Sequence, residues 1–223
     1  KVTTANWCNE TQLWRLDGLR ADTGEAISFT ANFLWMCQGY YEHAKGYTPE
    51  WDGMERFLGE VVHPQTWPED LNYKDKKIII IGSGATAATL APAIAGECEH
   101  VTVLQRSPTY FIPGGNENLL ADQLRSLQVD ETWIHEITRR QILQDLQEMT
   151  RLSLEEPEWV AEELINGVRE YLGDDYDIET HFTPKYRPWR QRVAFVPDGD
   201  IFQGIKSGLA SMVTDEIDSF TEG

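Results

Sequence analysis

"KKIIIIGSGATAATLAPAIAGECEHVTVLQRS", Lys76 to Ser107, is the stretch whose reading decides the fold. The four isoleucines Ile78 to Ile81 are too few for a membrane span and suit a strand covered on both faces, the usual setting of a parallel sheet. A glycine turn follows, then about ten small, helix-compatible residues, then a β-branched strand from Val101 to Gln105. Strand, turn, helix and strand in that order form a βαβ unit, whose crossover helix returns the chain to a parallel neighbour. Pro92 lies inside the helical span, where a proline lacks one backbone donor, so a late start or a kink is expected.

Upstream, Gln12 to Gln38 alternates apolar and polar residues around Asp22-Thr23-Gly24-Glu25, which reads as a hairpin followed by a third strand. Gly39 to Tyr73 is crowded with aromatics, Gly and Pro; flexible linkers do not carry such residues, so an ordered loop with packed aromatics is expected. Downstream of Pro113 the pattern turns helical and acidic. Asp130 to Leu152 spaces Trp133, Ile137, Ile142, Leu146 and Met149 by roughly helical turns, and Pro157 to Gly173 has a first-turn proline and a C-terminal glycine cap. Trp133, Trp159 and Tyr171 read as core-facing positions of these helices. A short helix within Asp198 to Gly208 and a strand within Ser211 to Phe220 complete the alternation. The expected architecture is α/β, a Rossmann-like doubly wound parallel sheet with a small antiparallel β unit. Residues 1–56 form the meander and connector, and residues 57–223 form the nucleotide-binding domain, with a helical insertion at about 116–173.

With 223 residues and 41% hydrophobic content the chain can bury a sizeable core. A formal charge of −18 argues against nucleic acid and anionic membrane as partners, because both select a basic surface. Any anionic cofactor must then be held by local arginines. The three cysteines, Cys8, Cys37 and Cys98, are odd in number and widely spaced, which suggests buried thiols in a reducing, cytoplasmic setting. The first residues carry neither an initiator methionine nor a signal-peptide pattern, and Asp218 to Gly223 reads as a strand entering a turn. Both ends read as cuts within a longer protein.

Gly82, Gly84 and Ala87 fit the G-x-G-x-x-A form of the dinucleotide fingerprint, with a strand before it and a helix after it. The first glycine makes the turn, the second lets a pyrophosphate approach the backbone, and the small third residue allows close helix packing. Ser83 and Thr86 add hydroxyls near a helix N-terminus that favours phosphate. The end of the second strand chooses the nucleotide. An NAD enzyme places an acid there for the ribose hydroxyls, whereas this chain has Gln105, Arg106 and Ser107. Arginine forms a charge-assisted fork with a 2′-phosphate, so NADP is expected. The cofactor-binding set is Gly82, Ser83, Gly84, Ala85, Thr86, Arg106 and Ser107.

Just upstream, Phe57, Gly59, His63, Trp67 and Pro68 read F-x-G-x-x-x-H-x-x-x-W-P. This resembles the fingerprint of Baeyer–Villiger monooxygenases, within the class B flavin-containing monooxygenases, where it precedes the NADP loop; the terminal Trp-Pro pair points to that branch. "CQGYYEHAKGYTPEWDG" from Cys37 and "HFTPKYRPWRQRVAFVPDGDIF" from His181 resemble the family's domain junction and the surroundings of its active-site arginine. The subgroup most resembled is that of the thioamide-activating mycobacterial enzymes.

The resemblance implies an enzyme in which NADPH reduces FAD, O₂ is captured as a flavin peroxide, and oxygen passes to a ketone or to a sulfur or nitrogen compound. The family's FAD-binding glycine loop has no counterpart in this chain, so the flavin domain of the same polypeptide is the implied partner and the chain alone is expected to be inactive. By position Arg192 matches the catalytic arginine, with Arg187 and Arg190 as neighbouring candidates. Gln191 stands where better-known members have a lysine, which leaves 2′-phosphate selectivity to Arg106, with Arg190 as a candidate to share it. His63 is either catalytic or, held between a glycine turn and "PQTWP", part of a stiff joint between domains, with Trp67 as its packing.

Other chemistries fail specific tests. His135 begins H-E-x-x but the fifth residue is Arg139, there is no G-x-S-x-G, and the Tyr73-x-x-x-Lys77 pair precedes the glycine loop rather than following it. Two readings remain beside the monooxygenase: the nucleotide domain of a flavin disulfide reductase, and an NADP-binding module without turnover.

Overall fold

A computed structural model describes all 223 residues and divides them into two compact units, Lys1–Tyr47 and Thr48–Gly223. In the first unit, strands β1 (Val2–Cys8), β2 (Leu13–Leu19) and β3 (Ala26–Ala31) form an antiparallel sheet in sequence order. The β2–β3 hairpin sits on Asp22 to Glu25, with Gly24 in the left-handed region that its turn requires. The third strand differs from the sequence reading: it precedes the hairpin rather than following it. Trp7 lies opposite Trp14 with ring centroids 5.6 Å apart, a cross-strand aromatic pair that fixes the register. Residues 33–47 form no strand, and Tyr40, Tyr41 and Tyr47 are exposed, with the Tyr40 and Tyr41 rings 4.5 Å apart. Cys37 is exposed too, against the expected buried thiol, while Cys98 is buried and burial pushes its thiol up.

The second unit opens with the connector and then enters β4 (Lys77–Ile81), α1 (Ala85–Ile94) and β5 (His100–Gln105), the expected βαβ unit. The helix begins directly after Gly84 and runs through Pro92, which sits in its last turn; neither the late start nor a break occurs. Three further helices follow β6 (Phe111–Gly114): α2 (Leu119–Ser126), α3 (Glu131–Glu155) and α4 (Pro157–Leu172). The chain then forms α5 (Ile178–Phe182), β7 (Ala194–Pro197), α6 (Asp200–Lys206) and β8 (Ala210–Thr214). The last strand ends at Thr214, short of the expected Phe220. Two parallel sheets result, β4-β5-β8 and β6-β7.

The core gathers Val101 and Val103 of β5, Ala87, Ala88 and Ala91 of α1, and the rings of Phe111, Phe182 and Phe202. Alanines on the inner face of α1 let it lie close on the sheet, as the fingerprint's small third residue anticipates. Only one face of the β4-β5-β8 sheet is covered. Ile79 on the other face is 64% exposed, so the isoleucine run is buried by alternation and not on both sides. The helical segment departs from its pattern as well. Trp133 and Trp159 are 66% and 48% exposed, while Tyr171 packs on the core through Phe202. Along α3, Ile134 is buried near the N-terminal end and Met149 and Leu152 near the C-terminal end join a second cluster with Tyr110, Val160, Leu164 and Val193, while Ile137, Ile142 and Leu146 between them are exposed. No helix is long and apolar enough to cross a membrane.

The connector is fixed from within its own unit, which places residues 48–56 with the larger unit rather than with the meander. The ring of Phe220 stacks 5.8 Å from Trp51 and meets Phe57 edge-on at 5.8 Å, and the Phe220 N–H donates to the Asp52 carbonyl at 2.7 Å.

Candidate functional site

The connector motif has local physical causes. A Cβ on Gly59 would come within 2.4 Å of the Phe57 ring, so this phenylalanine can fold back only over a glycine. His63 precedes the short 3-10 helix Pro64–Thr66, and its Nδ1 accepts from the Gln65 N–H at 3.1 Å. The imidazole therefore acts as an N-cap, with proline at the first helical position where the missing donor costs nothing. Trp67 packs edge-on against Tyr73 at 6.1 Å, just ahead of β4. If His63 is a cap, His63→Ala should lower the stability of the chain by about 1 kcal/mol and His63→Asn, which keeps a short acceptor, should recover most of it. Urea unfolding of both variants checks this; equal losses would remove the capping role.

At the glycine loop, Gly82 has φ +109° and its N–H donates to the Leu104 carbonyl at 2.7 Å, which ties the turn to β5. Gly84 is different. Its φ of −74° is open to any residue, and a Cβ there would meet nothing within 4 Å. The fold itself does not require glycine at this position; what the missing side chain leaves open is the space in front of α1. No side chain caps that helix, so its first N–H groups keep their capacity to bind an acceptor. An anion seated there would also meet the positive end of the helix dipole.

Ser83 does not face that space. It is 8% exposed, and its hydroxyl donates inward to Thr109 Oγ1 at 3.3 Å. Gln105 is likewise internal at 2% exposure; its Nε2 donates to the His181 carbonyl at 2.7 Å and to Thr214 Oγ1 at 2.9 Å. The residue at the position of a ribose-binding acid thus braces β5 against α5 and β8. Arg106 and Ser107, the next two residues, are exposed.

The arginines separate by partner. Arg15, Arg20, Arg56, Arg125, Arg140, Arg151 and Arg169 are in ion pairs with carboxylates. Arg187 is structural, since its Nη1 donates to the Ser153 and Pro188 carbonyls at 3.1 Å each and so binds the end of α3. Arg106, Arg139, Arg190 and Arg192 are exposed and carry no ion pair, and of these Arg139 lies on α3. In a chain of charge −18, a cation without a carboxylate partner keeps its full charge for an anionic ligand.

Sequence reasoning missed the scaffold behind this arrangement. Tyr110 is buried, its hydroxyl donates to the Tyr186 carbonyl at 2.9 Å, and burial, with Tyr186 beside it, holds its phenol above the usual range and hence protonated. Tyr186 donates back to the Pro108 carbonyl at 3.4 Å. The segment leading to Arg192 and the segment carrying Arg106 are thereby laced together. Trp189, between Arg187 and Arg190 in the chain, has φ +64°, an uncommon conformation for a large side chain, and its buried indole N–H has no partner. Nothing in the sequence marked these contacts, which join residues more than seventy positions apart.

A βαβ unit with an open glycine loop and an arginine at the end of the second strand defines a dinucleotide-binding fold. The family model described as flavin-binding monooxygenase-like matches residues 5–148, and the chain belongs to that family. It is 41% identical over 226 residues to the putative FAD-containing monooxygenase MymA of Mycobacterium tuberculosis, a match that covers 100% of this chain and 45% of the relative. It is 38% identical to the FAD-containing monooxygenase EthA of Mycolicibacterium smegmatis, with 100% and 45% covered. The chain thus spans about half the length of the curated relatives it matches. Among solved structures, oxidised steroid monooxygenase bound to NADP superimposes with a TM-score of 0.67 at 22% identity, over 100% of this chain and 47% of that one. Cyclohexanone monooxygenase from Rhodococcus sp. Phi1 bound to NADP+ gives 0.65 at 20% identity, over 98% and 47%. These likenesses agree with the α/β reading of the fold.

Proposed function

We propose that this chain is the NADP(H)-binding part of a flavin-dependent monooxygenase that uses NADPH, FAD and O₂ on a small ketone or a sulfur or nitrogen compound. The observation that carries the reading is Gly84, a glycine with no internal reason to be one, at the uncapped start of α1. Gly82 to Thr86 would hold the pyrophosphate against the helix N-terminus, and Arg106 with Ser107 would take the 2′-phosphate. Ser83 contributes its backbone rather than its hydroxyl, which is turned inward. The dinucleotide, when bound, supplies the hydride that reduces the flavin.

Arg192 is the residue we assign to the reacting side, where a fixed cation stabilises developing negative charge without reorganising at the moment of reaction. Its lack of a carboxylate partner supports that role. His63 serves the joint between the NADP and flavin parts as a cap, not as a proton carrier, with the larger unit, Thr48–Gly223, as the nucleotide-binding portion. The flavin part of the same polypeptide would complete the site, and the cellular setting would be cytoplasmic. The acidic surface disfavours nucleic acid and anionic membrane.

The test is a titration of the purified chain with NADPH and NADH. NADPH should bind more tightly, and Arg106→Ala should weaken NADPH binding about tenfold while leaving NADH unchanged, since only the former carries the 2′-phosphate. Equal affinity of the wild-type chain for the two would sink the Arg106 assignment.

A further inference from the structure

The loop that carries Arg106 is pinned on both sides of that residue. Gln105 behind it is buried and bonded to the His181 carbonyl and Thr214. Pro108 beyond it accepts from the Tyr186 hydroxyl, and the Tyr110 carbonyl accepts from the Ala194 N–H at 2.9 Å. All of these tethers run to the body of the domain. One side-chain bond from this loop runs to the glycine loop, that between Ser83 Oγ and Thr109 Oγ1 at 3.3 Å. Backbone adds the Gly82 N–H to Leu104 carbonyl bond one residue earlier.

A dinucleotide with a 2′-phosphate has two anionic groups at a separation fixed by covalent bonds. The protein that binds both must hold two loops at the matching distance, and any slack between them is conformational freedom lost on binding. Resting on the NADP(H) reading, we infer that Thr109 is a positioning residue that sets the distance between the glycine loop and Arg106, and so determines specificity for the 2′-phosphorylated dinucleotide. Thr109 acts through Ser83 on one side and through the pinned Pro108–Tyr110 segment on the other. Because the Ser83 hydroxyl donates to it, the hydrogen of Thr109 remains available for a further acceptor.

The distinguishing property of a spacer is that it matters for a ligand gripped at both loops and not for one gripped at a single loop. Thr109→Val is nearly isosteric and removes only the hydroxyl. It should weaken NADPH binding about fivefold, the effect of one net hydrogen bond, while 2′-AMP, which offers Arg106 its phosphate without a pyrophosphate, binds as to the wild type. Ser83→Ala should cost NADPH binding a similar factor, and the double variant no more than either single one, because both remove the same bond. Thr109→Ser, which restores the hydroxyl, should return NADPH binding to within about twofold of wild type. Calorimetric titration of the four variants and the wild-type chain, with circular dichroism to verify folding, reads all of this. Unchanged NADPH binding in Thr109→Val overturns the inference, as do equal losses for NADPH and 2′-AMP, which would make Thr109 a support of Arg106 alone. A wild-type chain that binds 2′-AMP and NADPH, with additive single variants, also overturns it but leaves the functional reading standing. A wild-type chain that binds neither removes both.

Discussion

Gly84→Val is expected to reduce NADPH binding by about 100-fold while the chain stays folded. The reasoning begins with what the residue does not touch. Its φ is ordinary and a Cβ would meet no atom within 4 Å, so the folded chain accepts a side chain there without displacement. The cost to stability is that of a poor N-cap, under about 1 kcal/mol, because glycine at this position caps α1 without any side-chain bond. Binding should suffer far more. A branched side chain at the helix start would occupy the space through which a pyrophosphate reaches the N–H groups of α1, and it would shield the dipole from the charge it favours. Parallel measurements of urea midpoint and NADPH affinity separate the two effects. Retained binding in the valine variant would mean that no phosphate approaches this loop.

Phe202→Ala should cost the chain about 3–5 kcal/mol, a large part of a typical domain's total stability. Phe202 is fully buried, with its ring 5.8 Å from Phe111, 5.6 Å from Phe182 and 5.7 Å from Tyr171. These partners belong to β6, α5 and α4, so one ring holds together pieces from most of the second unit. Removing it leaves a cavity that the close-packed surroundings can fill only in part. The shift of the urea midpoint at constant slope measures the loss. A value under about 1 kcal/mol would show that the phenylalanine cluster is not the centre of the fold.

Much of the βαβ unit was legible because its signals are local. Strand, glycine turn and helix follow from residues within a few positions of each other, and the fingerprint says where a phosphate would sit. The connector motif was legible as a pattern, while its causes were not. That Gly59 makes room for Phe57, and that His63 caps a turn, depends on how the backbone folds back on itself. Helical periodicity misled at Trp133 and Trp159 because it identifies an apolar face without showing whether anything covers it. The isoleucine run misled similarly: a hydrophobic strand is compatible with one covered face or two, and in this chain Ile79 faces outward. Alternation in residues 12–38 marked the hairpin but not the order of its neighbours, since the pairing of β1 with β2 rests on a Trp7–Trp14 contact across a turn.

The sequence by itself determined the elements of the nucleotide-binding unit, the family resemblance, and the set of arginines from which a phosphate ligand could be held. Only the tertiary structure decided which of these residues face outward. Ser83 and Gln105 sit within or beside the binding signature, yet they are spent on internal bonds to Thr109, His181 and Thr214. Arg187 went to the end of a helix, whereas Arg106 and Arg192 were left without carboxylates. The physical reason is that side-chain partners are chosen among groups brought together by packing from distant parts of the chain, and no local pattern records those meetings.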